Sequence, residues 1–113
     1  MKLLIVEDDE KLQDLLRTIL MREVSSIDVS SDGEHAIEML QSNRYDLVIL
    51  DLMLPKKNGL LVAEAVGALA DKPRLIVLSG LSRYLTDRFP ADTLVLQKPF
   101  EIDKLAEVVR GLM

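Results

Sequence analysis

Short runs of wholly apolar residues alternate along this chain with segments in which apolar residues recur every three or four positions. LLIV at 3–6, LVIL at 47–50, LIVL at 75–78 and LVL at 94–96 are too short for independent helices and carry no polar face. Such runs read as strands buried on both sides, as in parallel sheets. The pattern places strands at 2–6, 46–50, 74–78 and 93–97, with a shorter alternating strand around Ile27 and Val29. Leu12, Leu15, Leu16, Ile19 and Leu20 share one helical stripe, which predicts an amphipathic helix from about Glu10 to Arg22. Ala36, Ile37, Met39 and Leu40 face inward from a second helix, after an Asp32-Gly33 turn. An Ala-rich third helix spans about 59–69, and Ile102, Leu105, Ala106, Val109 and Leu112 mark a final one over 101–112. Strands alternating with helices predict an α/β fold, a doubly wound parallel sheet with helices on both faces. Between Gly80 and Asp92 the pattern is weaker; Leu81, Tyr84, Leu85 and Phe89 suggest a short helix that Pro90 ends.

Reactive side chains stand just past the apolar runs. The first runs into Glu7-Asp8, the third strand into Asp51, the fourth into Ser79 and the fifth, through Gln97, into Lys98. In open parallel sheets ligands bind beyond the carboxyl ends of the strands. A set of carboxylates, a hydroxyl and an ammonium gathered there suits a hard divalent cation and a phosphoryl group. Each residue also has a plainer reading. Glu7 and Asp8 are consistent with solvated charges, with Asp9 capping the next helix; Ser79, before a glycine, with a turn; Lys98 with the polar end of a strand. Asp51 shifts the balance, because an acid directly after a fully apolar run has little reason to sit there for solvation alone. Crowded carboxylates need a cation or a proton, and oxygen-only ligation favours Mg²⁺. His35, the sole histidine, reads as a surface residue, and no glycine loop suited to cradling phosphate is present.

Composition narrows the field. The 113 residues predict one domain over 1–113, and 49% hydrophobic with 29% charged residues is an ordinary globular balance. No apolar run approaches a membrane span. The apolar stretch near the N-terminus is too short for a signal peptide, which points to the cytoplasm. With no cysteine, disulfide and thiolate chemistry are out, and a net charge of −5 argues against direct nucleic-acid binding.

Taken in order, LLIVEDDE, DLVILDLMLPKKNG, LIVLSG and LQKPF resemble the response-regulator receiver domain of bacterial two-component signalling, over essentially the whole chain. The resemblance implies a chemotaxis-regulator-like, flavodoxin-like (βα)5 fold with strand order 2-1-3-4-5 and here a short or irregular fourth helix. It implies that Asp51 accepts a phosphoryl group from the phosphohistidine of a sensor histidine kinase or phosphotransfer protein. Asp8, Asp51 and the Met53 backbone carbonyl are then the Mg²⁺ ligands, with Glu7 acting through bound water. Ser79 and Lys98 hold the phosphoryl oxygens, Ser79 doubling as a switch residue, and Pro99 resembles the proline after a cis peptide that aims Lys98. Such a domain signals to an output domain or a homodimer partner and is not a turnover enzyme. Two departures stand out. Val95 occupies the position of the usual switch aromatic, and the stretch from Ser79 to Lys98 is short and contains Pro90. Tyr84 and Phe89 are the aromatics close enough in sequence to substitute. The alternatives are a degenerate receiver that binds partners without phosphorylation and a haloacid-dehalogenase-type phosphatase. The latter wants a second acid where Met53 stands.

Overall fold

The computed structural model describes residues 1–52, 59–79, 89–90, 92–97 and 101–112. Five strands, β1 (Lys2–Val6), β2 (Ser26–Ser30), β3 (Leu47–Asp51), β4 (Arg74–Ser79) and β5 (Leu94–Gln97), form one sheet in the order β2-β1-β3-β4-β5. Every pairing is parallel. Four helices are described: α1 (Glu10–Leu20), α2 (Gly33–Ser42), α3 (Gly59–Gly67) and α4 (Ile102–Gly111). The strand order is the flavodoxin-like one that the resemblance implied. The expected short helix between Gly80 and Asp92 lies almost wholly outside the described residues.

Strand alternation divides the interior in two. Leu4, Val6, Val48, Leu50, Leu75 and Val77 join Ala36 and Leu40 of α2 and Val62, Ala63 and Val66 of α3 on one face. Leu3, Ile5, Leu47, Ile49, Ile76 and Leu78 join Leu16 and Leu20 of α1 and Leu105, Ala106 and Val109 of α4 on the other. Burying one such side chain contributes about 1.5–3 kcal/mol relative to leaving it exposed. All five residues of β3 are buried, which is why its sequence shows no polar alternation.

The ends of the elements depart from the sequence reading in instructive ways. Helix α1 stops at Leu20, with the Met21 N–H closing on the Arg17 carbonyl. Leu15, expected on the inward stripe, is 45% exposed, and burial on this helix falls to Leu16 and Leu20. Asp32 caps α2 by accepting from the His35 N–H at 2.8 Å, and Gly33 is the first helical residue. Helix α3 ends at Gly67, short of the expected 69, and Leu69 N–H turns back to the Val66 carbonyl at 3.2 Å. Strand β3 runs one residue further than expected and takes in Asp51, paired with Leu78.

At the opposite end of the strands Asp46 ties three of them together. Its carboxylate accepts from the Lys2 N–H at 2.7 Å. Its own N–H donates to the Lys2 carbonyl at 2.8 Å, and its carbonyl accepts from the Arg74 N–H at 3.0 Å. Beside it the buried Tyr45 donates its hydroxyl to Asp28 at 2.7 Å, with the Lys2 ammonium 5.1 Å from the ring centre. Among the described residues no helix is long and apolar enough to cross a membrane.

Candidate functional site

Register alone brings the first two acids level. Val6 of β1 is opposite Leu50 of β3, so Glu7 and Asp51, the next residue on each, meet at the same height. Asp8 follows Glu7 as the chain leaves the sheet. Carboxylate oxygens of Glu7, Asp8 and Asp51 lie within 4.8 Å of one another. Glu7 and Asp51 are only 2% and 4% exposed, whereas Asp8 opens to solvent.

Glu7 is held on several sides. Its N–H donates to the Ser30 carbonyl at 3.0 Å, and its Oε2 accepts from the Asp9 N–H at 3.2 Å. Asp9 meanwhile caps α1, accepting from the N–H groups of Lys11 and Leu12. The capping role and the acid site, which the sequence offered as alternatives, are both present. Glu7 Oε1 is buried and has no hydrogen-bond partner among the described residues. Burial pushes the Glu7 carboxyl up to about 8, and the neighbouring Asp51 and Asp8 carboxylates push the same way, against the Asp9 N–H. While it keeps its proton Glu7 can share it with Asp51; once ionised, its Oε1 has no hydrogen-bond partner among the described residues. The donor set is all oxygen, partly buried and open at Asp8, which fits a hard cation such as Mg²⁺ that keeps several waters.

The remaining predicted site residues are placed only in part. Ser79 ends β4 in register with Gln97, so Lys98 is the next residue of the neighbouring chain segment. The Ser79 side chain, Lys98, Pro99 and Met53 with its carbonyl lie outside the described residues, as do Tyr84 and Leu81. Val95 is 39% exposed on β5, opposite Val77. Phe89 is partly buried against the core cluster that includes residues of α2 and α3. His35 is exposed, as expected, with Nδ1 3.3 Å from Ser30 Oγ.

Sequence reasoning placed Gly59 only at the start of the third helix and passed over Gln13, and both support the site. Gly59, eight residues past Asp51, donates its N–H to the Leu52 carbonyl at 3.0 Å. A Cβ there would stand 2.4 Å from Leu52 Cα, so only glycine lets the chain close this tightly behind β3. Gln13, on the first turns of α1, donates to the Glu7 carbonyl and to Ser31 Oγ. No periodicity marks either residue; a D-x-x-x-P-x-x-x-G spacing was the one signal for Gly59.

Comparison with known proteins gives a consistent picture. The family model of the response regulator receiver domain matches residues 3–110. Response regulator ArlR of Staphylococcus saprophyticus is 33% identical over 99% of this chain and 52% of its own length. The chain thus spans about half the length of the curated relatives it matches. Among solved structures, the response regulator TrrA of Thermotoga maritima, in complex with Mg²⁺-BeF, is 34% identical with a TM-score of 0.82, covering 99% of this chain and 98% of that one. Chemotaxis response regulator CheY4 of Vibrio cholerae shares the fold at a TM-score of 0.85 with 20% identity, covering 99% of this chain and 98% of that one.

Proposed function

Since this chain belongs to the response regulator receiver family of two-component signalling, we propose that it takes a phosphoryl group onto Asp51 from the phosphohistidine of a histidine kinase or phosphotransfer protein, with Mg²⁺ bound. The observation that supports this reading is the cluster of Glu7, Asp8 and Asp51 carboxylates at the strand ends, whose buried Glu7 Oε1 has no hydrogen-bond partner among the described residues, so that a cation can replace the Glu7 proton. Asp8, Asp51 and the Met53 carbonyl would hold the ion, with Glu7 reaching it through water. When bound, Mg²⁺ offsets the negative charge of the phosphoryl oxygens and of the carboxylates around them.

The chain's own residues carry out the transfer. A carboxylate oxygen of Asp51 attacks phosphorus in line; the O–P bond forms as the P–N bond of the donor breaks, and the imidazole leaves. Ser79 gives its hydroxyl proton to one phosphoryl oxygen as a hydrogen bond, and Lys98 its ammonium to another. The burial of Asp51 keeps competing water from the acyl phosphate. The product is an aspartyl-phosphate that shifts a conformational equilibrium, so the domain's role is to carry a signal.

To test this, the chain is incubated with acetyl phosphate and Mg²⁺ and its intact mass measured. One added phosphoryl group is expected, lost in excess chelator and in Asp51→Asn. Labelling of Asp51→Asn, or full labelling without metal, overturns the assignment. The exposed Val95, which has no ring to reorient, favours a second reading of the output: phosphorylation repacks 80–92, including Phe89, in place of an aromatic switch. Hydrogen exchange with and without beryllofluoride tests it, and unchanged protection across 80–92 refutes it.

A further inference from the structure

The amide of Gln13 uses both of its protons at the acid cluster: one goes to the carbonyl oxygen of Glu7 and the other to Ser31 Oγ at 3.1 Å. We propose that Gln13 is a positioning residue, a clamp that fixes the peptide plane between Glu7 and Asp8 and anchors it to the turn joining β2 to α2. The proposal rests on reading the acid cluster as the Mg²⁺ and phosphoacceptor site.

The Glu7 carbonyl belongs to the planar peptide group that leads into Asp8. Turning that plane swings the Asp8 Cα–Cβ bond, and with it the carboxylate, relative to Asp51. Asp8 is exposed, so packing does little to place it. The orientation of the plane therefore depends on what holds its oxygen, and that is Gln13. The anchor is itself rigid. Ser30 is buried, its carbonyl accepts the Glu7 N–H at 3.0 Å, and its hydroxyl donates to the Asp32 carbonyl at 2.8 Å. Asp32 in turn caps α2. Glu7 is thus gripped at both backbone polar groups by a single turn, directly at its N–H and through Gln13 at its carbonyl. Without the clamp, the exposed Asp8 carboxylate would be free to swing away from Asp51.

Partners that orient metal ligands typically matter about 10–100-fold in metal affinity. Gln13 works through the backbone, one step removed from a ligand atom, so the low end, about tenfold, is expected. The test compares the parent, Gln13→Met, which keeps length and loses both donors, and Ser31→Ala, which removes only the outer anchor. Two quantities are measured: Mg²⁺ affinity by titration, and amide exchange of the metal-free chain at Asp9 and at Ile49 in β3. Gln13→Met should weaken Mg²⁺ about tenfold and speed exchange at Asp9 while Ile49 is unchanged. Ser31→Ala should do both to a smaller extent. Mg²⁺ affinity within twofold of the parent in Gln13→Met overturns the clamp. So does exchange that rises equally at Asp9 and Ile49, since that is general destabilisation. If the parent itself takes up no Mg²⁺, the proposed function fails, and the Asp9 exchange comparison still decides whether Gln13 holds the loop.

Discussion

Replacing Glu7 by glutamine removes a titrating group from the acid cluster while keeping its shape. In the folded chain this carboxyl holds its proton up to about 8, against 4.5 when exposed, chiefly because it is buried and secondarily because Asp51 lies beside it. Between those two values the folded state binds more protons than the unfolded one, so stability falls as pH rises, by about 1.4 kcal/mol per pH unit for one proton. The contribution is fully present below pH 4.5 and is lost as pH climbs through 8. Over the whole window that amounts to something on the order of 3–5 kcal/mol. Glu7→Gln has no such dependence. Urea unfolding in chelator at intervals from about pH 5 to pH 8 should therefore show the variant overtaking the parent as pH rises. For a domain of this size the difference corresponds to roughly 12–20 °C in Tm. Saturating Mg²⁺ should narrow the gap most at the alkaline end, because a nearby cation favours the ionised Glu7, and an ion at a hundred times its Kd returns about 2.7 kcal/mol. A difference between parent and variant that stays flat with pH would show that Glu7 is ionised throughout, and the electrostatic account of the site would be wrong.

Gly59→Ala should lower stability by about 1–3 kcal/mol in urea unfolding, since its methyl would meet Leu52 backbone atoms and push on the end of β3; an unchanged midpoint contradicts this. Tyr45→Phe removes the 2.7 Å bond to Asp28 and should cost about 1 kcal/mol, modest because Asp28 is 36% exposed. In the parent, burial and the Asp28 carboxylate raise the Tyr45 phenol, so ultraviolet titration should show one of the two tyrosines ionising late, and its loss in Tyr45→Phe identifies it. Asp92 stands at φ 68° ahead of β5, where a β-branched residue is strained; Asp92→Val should lose about 1–2 kcal/mol while Asp92→Gly stays within about 0.5 kcal/mol of the parent.

The sheet was legible because its strands are buried on both sides, which leaves an apolar run that few other environments produce. The acids were legible for the converse reason: Glu7 and Asp51 break such runs at points where solvation explains little. Helix ends were harder. Whether α1 stops at Leu20 or Arg22 depends on the Glu23 N–H turning back to the Leu20 carbonyl, and Leu15 is exposed although it follows the helical period, because the buried stripe is narrower than the apolar one. Gln13 could not be found by pattern, since its role depends on which loop α1 happens to face. The strand order came from family resemblance. Short apolar runs specify that strands are interior but carry no information about which neighbours which.

The double burial of the central strands also bears on how the chain finds its pairing. A slip of one residue along β1, β3 or β4 would exchange the two interior faces, yet both sets are aliphatic, so such a slip would put few polar groups in the wrong place. Pairing accuracy must come from the residues that cannot move inward. Asp46 is one stop, bonded to Lys2 and Arg74 at the start of the strands, and Glu7 and Asp51 are the other, since a step further in would carry their carboxylates in among the aliphatic side chains of the core. The carboxylates that make up the chemical site thereby also act as end markers for the sheet. The proposed chemistry and correct assembly thus make demands on the same side chains.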